Sequence, residues 1–407
     1  FAVRTAPYGC GISKPPATPC WRGPASAPSS VPRPPDPGPN PNPDPNLNLN
    51  LFFPQSPRLL GIDISSSSVK IVEITKINKK STNTFRLERY VIEPMSKDAI
   101  IDGNIQNLEA VGDSIRKGWK KMGSRLKEAA LALPAAAVIT KKVVLPAGQS
   151  EDDLVIQVET EANQYIPFSL DEVNLDFQVL GPVSDHPEEV EVLIAASRKE
   201  KVEDMVAAVQ TSGLKAIVMD VEPFAAQAAF ELMKHQLPES GKSKVIALVD
   251  IGASITRINI IHNDESVYAR DQTFGGDQLT QEIQNQFNLS IEEAEAAKRK
   301  GTLPENYNQD VLQPFCETLA LEIARAFQFF FTSTQYMQVD CIFLSGGCAT
   351  IPVLEAIIAE RTQTITQVAN PFLNMELSNR VSQRQLKQDA PLLMIACGLA
   401  MRSFDPS

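Results

Sequence analysis

Two short stretches, 187 residues apart, combine an aspartate with small or hydroxyl-bearing residues that can bind phosphate. In the first, Asp63 ends an apolar run and is followed by the turn Ser65–Ser67. In the second, Asp250 ends an apolar run and is followed by the turn Gly252–Ser254. Turn N–H groups and hydroxyls can hold phosphate oxygens, and carboxylates can hold a hydrated magnesium ion. The two stretches together predict a site for a phosphate-bearing ligand, and a nucleotide is the first candidate.

Each turn taken alone has a simpler explanation. An Asp or Ser side chain often closes a hairpin without binding anything. The repetition of the arrangement favours phosphate binding, and Gly252 adds the freedom to adopt a positive φ or to let a ligand approach the backbone closely. Each stretch is therefore predicted to be a β-hairpin whose first strand ends in an acidic residue.

Two glycine pairs are further candidates. Ser345, Gly346 and Gly347 follow a predicted strand and precede a helix, where paired glycines allow a flat ligand such as a base and ribose to approach. Gly275 and Gly276 open a predicted helix, so their N–H groups are expected to point toward a ligand. Taken alone, Ser345–Gly347 is better explained as an ordinary strand-to-helix turn, and such a turn explains Gly275 and Gly276 equally well.

Glu222 lies at a predicted strand-to-helix junction, in the sequence Asp220-Val221-Glu222-Pro223. Pro223 suits the first positions of a helix. A carboxylate at this junction can orient water on a terminal phosphate, which makes Glu222 the catalytic candidate. The alternative is an acidic residue that interacts favourably with the helix N-terminus.

A third kind of candidate lies at the end of a helix predicted over Glu151–Tyr165, with Ser150 as its N-cap. Tyr165, Ile166 and Phe168 surround a proline there and are interpreted as an exposed rim that binds a peptide. Ordinary packing beneath a helix that ends at proline is the alternative.

Composition separates residues 1–57 from the rest. Sixteen of the 30 prolines fall within 1–57, and such a stretch is predicted to be disordered or polyproline-like, or not native to the protein. It holds four basic and two acidic residues, so the other 350 residues carry a net charge of −13, against −11 for the whole chain. This charge argues against nucleic-acid binding and against a basic membrane-binding patch.

The cysteines and histidines suggest no metal or nucleophilic chemistry. Cys316, Cys341, Cys348 and Cys397 show no CxxC pair and are predicted to be buried single thiols in a reducing compartment. Only three histidines occur in the chain. No apolar run after residue 58 has the length of a membrane-spanning helix, so a cytoplasmic protein is predicted.

The order of elements repeats along the chain. Three strands followed by helices are predicted twice, with strands near 59–64, 69–76, 86–92, 245–251, 255–262 and 265–272. A long helix is predicted over 308–336, because apolar residues recur there at three-to-four spacing; these residues are Leu319, Ile323, Phe327 and Phe330. The duplication indicates two α/β lobes with a cleft between them.

From Leu59 onward the chain resembles the PilM family, the actin-like proteins of the inner-membrane platform in type IV pilus assembly. The stretch Gln164-Tyr165-Ile166-Pro167-Phe168 is the specific part of the resemblance. The hairpins at Asp63 and Asp250 mark only the wider superfamily of actin, FtsA and MreB. The resemblance implies a two-lobed, FtsA-like actin ATPase fold with duplicated mixed sheets flanked by helices. It divides the chain into a first lobe over 58–236, a subdomain inserted near 146–220, and a second lobe over 237–407.

The resemblance also implies the ligands. ATP is expected in the cleft with at most slow hydrolysis, and Asp63 and Asp250 are expected to bind magnesium through water. The remaining nucleotide contacts are expected from Ser65, Ser66, Ser67, Gly252, Ala253, Ser254, Gly275, Gly276, Ser345, Gly346 and Gly347. The expected partner is the cytoplasmic N-terminal peptide of PilN, bound at the inserted subdomain. Through PilN the chain is expected to be linked to the PilN–PilO–PilP complex, the pilus motor and the inner membrane, and so to support twitching motility. Homo-oligomers are a further possibility that the resemblance leaves open.

One departure from the superfamily and two rival functions follow. Ser65 stands where the superfamily usually has glycine, and its side chain is expected to narrow the phosphate turn. An FtsA-like or MreB-like filament is the first rival, although the end of the chain lacks a basic amphipathic helix. A small-molecule kinase of the same fold is the second, although no separate catalytic aspartate is evident.

Overall fold

The computed structural model describes residues 3–4, 58–79, 82–101, 103–183 and 185–405. Apart from the two-residue strand at its start, the segment 1–57 and the prediction made for it lie outside the described residues. Within the described ranges the strands are β1 (Val3–Arg4), β2 (Leu60–Ile64), β3 (Ser68–Lys79), β4 (Thr82–Pro94), β5 (Ile100–Ile101), β6 (Asn104–Ile105), β7 (Glu128–Leu133), β8 (Val138–Pro146), β9 (Val173–Val183), β10 (His186–Arg198), β11 (Lys215–Val221), β12 (Val245–Ile251), β13 (Thr256–His262), β14 (Glu265–Gln272), β15 (Cys341–Ser345), β16 (Ile365–Val368) and β17 (Glu376–Leu377). The helices are α1 (Leu108–Met122), α2 (Glu151–Tyr165), α3 (Lys199–Ser212), α4 (Glu222–Glu231), α5 (Gly276–Phe287), α6 (Ile291–Lys300), α7 (Gln313–Ser333), α8 (Leu354–Thr362), α9 (Gln383–Asp389) and α10 (Met394–Met401).

The two large sheets share one plan. The first has the strand order β1-β11-β7-β2-β3-β4-β17, and the second has the order β14-β13-β12-β15-β16. In each, three consecutive strands form an antiparallel meander, and a parallel strand is added beside the first of them: β7 beside β2, and β15 beside β12. The predicted duplication is therefore present in the topology.

A separate three-stranded antiparallel sheet, in the order β8-β10-β9, carries helix α2 on one face. Ser150 caps this helix as predicted, because its side chain accepts a hydrogen bond from the Asp153 N–H. By sheet membership this unit runs over 138–198, which differs from the expected range of 146–220. Strand β11 belongs instead to the first large sheet, where it pairs parallel with β7.

The end of the chain returns to the first sheet. Strand β17 pairs with β4, and α10 packs against β2 and α4. Close backbone contact requires glycine at two positions: a Cβ on Gly61 would lie 2.0 Å from Ala396 O, and one on Gly398 would lie 1.7 Å from Ala225 O. The expected assignment of all of 237–407 to the second lobe therefore differs from the observed packing of β17 and α10 against the first sheet.

The long helix α7 buries the four predicted apolar residues, but it begins later than predicted. A π-helical turn over Asn308–Leu312 precedes it, and it ends at Ser333. Helix α6 was not predicted, although Ser290 and Glu293 form a capping box at its start. Among the described residues, no helix is long and apolar enough to cross a bilayer.

Candidate functional site

The first predicted hairpin places Asp63 opposite a lysine. Asp63 of β2 and Lys70 of β3 are register partners, and Lys70 Nζ lies 2.8 Å from Asp63 Oδ2. The same Nζ donates a second hydrogen bond, of 3.2 Å, to Ser65 Oγ. Lys70 thus joins the aspartate to the turn, a role that the sequence motifs did not indicate.

The serine turn is closed by its own first residue. The Ser65 N–H and its hydroxyl both donate to Ser68 O, at 3.0 and 2.9 Å. Ser66 is half-buried and Ser67 is exposed. Because the Ser65 hydroxyl is turned back into the turn, its oxygen is engaged within the protein rather than directed away from it.

In the turn of the second hairpin, the position of Gly252 has no room for a larger residue. The Gly252 N–H donates to Ile255 O at 3.0 Å, and a Cβ on Gly252 would lie 2.8 Å from that oxygen. Gly252 does not have a positive φ. Glycine is therefore needed at this position because another backbone atom approaches closely, not because of an unusual φ. Ala253 and Ser254 beside it are half-buried.

The start of helix α5 docks on this glycine turn. The Gly276 N–H donates to Gly252 O at 3.0 Å, and the Asp277 N–H donates to Ala253 O at 2.8 Å. The Gly275 N–H donates to the Gln278 side chain at 2.7 Å. The expectation that the N–H groups of Gly275 and Gly276 point toward a ligand is therefore wrong in this structure, because carbonyl and amide oxygens of the protein accept them. These residues position the turn.

The Ser345-Gly346-Gly347 stretch adjoins the second aspartate. Ser345 Oγ donates a 3.0 Å hydrogen bond to Asp250 Oδ1. Gly346 has a φ of 85°, and a Cβ there would lie 2.4 Å from Ile251 O. A Cβ on exposed Gly347 would meet nothing within 4 Å. Gly346 is thus required by packing, whereas Gly347 faces open space in which a ligand can lie.

Arg257 is a second residue that the analysis of the sequence missed. It lies on β13 as the register partner of Asp250 on β12 and of Asp271 on β14. Its Nε is 2.7 Å from Glu222 Oε2, and its Nη1 is 3.5 Å from Asp250 Oδ2. A repeated spacing could have revealed both missed cations, because Lys70 and Arg257 each follow an aspartate by seven residues.

Glu222 is the most perturbed acid of this cluster. It is buried at the start of α4, as the junction predicted. Burial raises its pKa to about 7; Arg257 opposes the rise, and Asp63, Asp250 and Asp271 add to it. The structure therefore brings the acids of both hairpins together around Glu222. Burial also raises the pKa of Asp271, again with Arg257 in opposition.

A small cavity lies within this cluster. Its volume is about 30 Å³, and its lining is mostly apolar, with Glu222, Asp250, Arg257, Asn259, Asp271 and Ser345 as the polar residues. This volume is enough for one water molecule. The catalytic candidate therefore has a place for a water beside it.

Another polar group borders the start of α5. Lys298 Nζ of α6 lies 2.6 Å from Thr280 Oγ1, 3.3 Å from Gly276 O and 2.6 Å from Glu295 Oε2. Glu295 also pairs with Arg299 at 2.8 Å. This group was not identified from the sequence, because the helix that carries it was not predicted.

The predicted peptide rim is only partly exposed. Tyr165 and Phe168 are 44% and 37% exposed, and each has a cation 4.9 Å from its ring centroid: Lys141 at Tyr165 and Arg198 at Phe168. Ile166 is 7% exposed and belongs to the core between α2 and the small sheet. Its assignment to an exposed rim is therefore corrected, because its side chain is part of the hydrophobic core.

Ion pairs connect the halves of the molecule around the site. Lys142 of β8 lies 2.6 Å from Glu265 of β14 and 3.3 Å from Glu191 of β10. Lys97 lies 3.3 Å from Glu292 at the start of α6. Lys142 of the small sheet and Lys97 of the loop after β4 therefore each form an ion pair with the second half of the chain.

The four cysteines after residue 58 are buried and free, as predicted. Burial raises the pKa of Cys316 and Cys341 to about 11 and that of Cys348 to about 12. Among the described residues, no group of three or more His, Cys, Asp or Glu side chains could hold a metal ion.

Comparisons with known proteins relate the chain to one family. The family model for the type IV pilus assembly protein PilM matches residues 61–404. A solved structure of the "PilM-PilN type IV pilus biogenesis complex" is similar with a TM-score of 0.72 and 27% identity, covering 86% of this chain and 100% of that chain. The ethanolamine utilization protein EutJ from Carboxydothermus hydrogenoformans is similar with a TM-score of 0.49 and 16% identity, covering 84% of this chain and 89% of that chain.

The cell division protein FtsA from Bacillus subtilis (strain 168) is 23% identical over 263 residues. The match covers 59% of this chain and 57% of that protein. The chain therefore spans little more than half the length of this curated relative.

Proposed function

The chain belongs to the PilM family of type IV pilus assembly proteins, and we propose that it is an ATP-binding scaffold of that machinery. Its fold is that of the actin-like ATPases, so the predicted fold class is confirmed. The observation that carries the proposal is the repeated hairpin in which an aspartate faces a cation beside a turn of small or hydroxyl-bearing residues: Asp63 with Lys70, and Asp250 with Arg257.

The nucleotide has a contact set in this proposal. Ser66, Ser67 and Gly252–Ser254 face the phosphates, while the Ser65 hydroxyl closes the first turn by donating to Ser68 O. Ser345–Gly347 faces the adenosine, with Gly347 open toward it. Gly276 and Asp277 hold the second turn in place, because their N–H groups donate to the Gly252 and Ala253 carbonyls.

The carboxylates of Asp63 and Asp250 are suited to hold a magnesium ion through bridging water molecules. Asp63 and Asp250 are each already paired with a cation, at 2.8 and 3.5 Å. Mg²⁺ keeps several waters and is usually bound by one or two carboxylates together with substrate phosphates. When bound with ATP, it would neutralise phosphate charge.

Glu222 is the residue that we propose orients water toward the terminal phosphate. It is buried beside a cavity large enough for one water, and its raised pKa lies close to neutral pH. Arg257 holds the same carboxylate at 2.7 Å. Hydrolysis is accordingly proposed to be slow, and nucleotide binding is the main event.

The partner that we propose is the cytoplasmic N-terminal peptide of PilN. The similar solved structure is a PilM–PilN complex at 27% identity, and the rim residues Tyr165 and Phe168 of this chain are exposed beside cations. Binding PilN would link the chain to the PilN–PilO–PilP complex and the motor. It would also hold a cytoplasmic protein at the inner membrane and support twitching motility.

Two lobes and an inserted subdomain complete the proposal. On the observed sheets we place the insertion at 138–198 and assign the C-terminal segment from Glu376 to the first lobe. Nucleotide closes the lobes and alters the peptide surface, because Lys142 joins the insertion to Glu265 of the second lobe. Only a difference in affinity for the closed state can produce such a shift.

Calorimetry of the full chain tests this function. A peptide of the PilN cytoplasmic N-terminus is titrated with Mg-ATP and without nucleotide. Micromolar binding that differs between the two conditions supports the proposal. Heat from ATP with no peptide binding in either condition would mean that the proposed partner is wrong. An absence of heat from ATP would mean that the proposed nucleotide site is wrong.

A further inference from the structure

The ion pair between Glu222 and Arg257 is close but poorly aligned. Glu222 Oε2 and Arg257 Nε are 2.7 Å apart, yet both are buried atoms without a hydrogen-bond partner among the described residues. A buried ion pair stabilises a protein only when its geometry and further hydrogen bonds compensate for desolvation. This pair therefore leaves the guanidinium ready to accept a better-aligned anion.

The matching cation of the first hairpin is in a different state. Lys70 Nζ donates hydrogen bonds to Asp63 Oδ2 at 2.8 Å and to Ser65 Oγ at 3.2 Å. Both partners belong to the hairpin that carries Lys70. Lys70 is thus fixed within its own turn, whereas Arg257 reaches from one half of the molecule to the other.

The pair spans the cleft between the sheets. Glu222 begins α4 after strand β11 of the first sheet, and Arg257 lies on β13 of the second. Asn259, two residues along β13, also reaches across, and its Nδ2 donates to Pro223 O at 3.2 Å. An anion that took Arg257 from Glu222 would remove a link between the two halves.

We propose that Arg257 senses the terminal phosphate of a bound nucleoside triphosphate by exchanging Glu222 for that phosphate. The inference rests on the proposed nucleotide site. A guanidinium presents a planar fork of donors that matches phosphate oxygens in bidentate geometry. Asp250, which comes just before the turn proposed to hold phosphate, has its Oδ2 already 3.5 Å from Arg257 Nη1, so the guanidinium lies next to that turn.

The exchange has two consequences. When a diphosphate is bound, Arg257 remains paired with Glu222. The two halves then stay linked, and the Glu222 carboxylate stays bound to the guanidinium. A triphosphate draws Arg257 away, and the Glu222 carboxylate is then free to orient the water in the adjacent cavity. The same movement reports the nucleotide state to both halves of the molecule.

The test compares the affinities of the full chain for Mg-ADP and for a non-hydrolysable Mg-bound triphosphate analogue by calorimetry. We expect wild type to prefer the triphosphate, and Arg257→Gln to lose about tenfold of that preference with little change for ADP. Arg257→Lys should retain part of it. Glu222→Gln should tighten triphosphate binding several-fold, because the competing carboxylate charge is gone. Arg325→Gln, which removes an exposed arginine on α7, is the matched control.

The outcomes separate the two proposals. If wild type binds neither nucleotide, the proposed function is wrong and this inference falls with it. If wild type binds both and the triphosphate preference is unchanged in Arg257→Gln, only the sensing role is wrong. If Arg257→Gln does not fold, Glu222→Gln decides: unchanged or weaker triphosphate binding overturns the exchange, and tighter binding supports it.

Discussion

Lys70 lies directly across the first hairpin from Asp63, with its Nζ 2.8 Å from Asp63 Oδ2 and both side chains largely buried. The lysine also donates to Ser65 Oγ, so a single ammonium group organises the aspartate and the turn that follows it. Arg257 occupies the equivalent position in the second hairpin, but it crosses to Glu222. The repeat therefore places a cation beside each aspartate: Lys70 is bound within its own hairpin, and Arg257 reaches Glu222.

Replacement of the fixed cation should weaken nucleotide binding. We expect Lys70→Gln to reduce ATP affinity by about tenfold or more, since a charge and the support of the serine turn are both lost. The free energy of unfolding should also fall, by about 2–4 kcal/mol, because Asp63 is left buried without its partner. Calorimetry and denaturant titration measure the two effects. Lys76→Gln, on the exposed part of the same strand, is the control, and equal losses in both variants would contradict the assigned role.

The stability of the protein should depend on pH through Glu222. Burial raises the pKa of Glu222 from 4.5 to about 7, so between these values the folded state binds more protons than the unfolded state. The contribution of Glu222 to the free energy of unfolding is therefore present below pH 4.5 and decreases as pH rises to 7, by up to about 3 kcal/mol.

Glu222→Gln removes this dependence. The melting temperature of the variant relative to wild type should rise between pH 5 and pH 8, since only wild type buries a charge at the higher pH. Glu231→Gln, at the exposed end of the same helix, is the control variant. A Glu222→Gln difference that stays flat across this range would refute the raised pKa.

The contact between α10 and α4 should not tolerate a side chain. In Gly398→Ala the new Cβ would lie 1.7 Å from Ala225 O, so the helices must separate. Overpacking of this kind lowers the free energy of unfolding by about 3 kcal/mol. Gly347→Ala, whose Cβ meets open space, should keep the wild-type stability. Denaturant titration of both variants checks the contrast, and a fully stable Gly398→Ala would mean that the helices are not in close contact.

The rim and its buried neighbour should behave differently. Tyr165→Ala and Phe168→Ala should each weaken binding of the PilN peptide about tenfold with little change in melting temperature, because both rings are exposed. Ile166→Ala should instead lower the free energy of unfolding by about 2–4 kcal/mol, because that side chain is in the core. Calorimetry combined with thermal melts makes the comparison. Loss of stability in Phe168→Ala with intact peptide affinity would reverse the assignment.

Local patterns in the sequence predicted the parts of the fold that depend on nearby residues. The Asp63 and Asp250 hairpins, the Ser150 cap and the apolar face of α7 all depend on residues within a few positions of one another. The family was also identified from the chain, through the stretch that includes Tyr165. Alternation and helical spacing carry this information directly.

The remaining features depend on residues far apart in the chain. Arg257 meets Glu222 only because two sheets face each other, and Gly61 needs its missing side chain only because α10 arrives from the other end of the sequence. Ile166 resembled a rim residue because the small sheet that covers it is built from strands that lie both before and after α2 in the chain. No pattern confined to one segment distinguishes such positions from ordinary ones.

The return of α10 to the first sheet determines when that sheet can be completed during synthesis. Its partners β2 and α4 leave the ribosome long before residues 394–401 are translated. The apolar surface that α10 covers on them is therefore not covered by α10 while the second half of the chain is synthesised. Contacts between distant parts of a chain form slowly, and uncovered apolar surfaces are prone to association. A nascent chain that stalls before α10 therefore displays this face to chaperones or to other stalled chains.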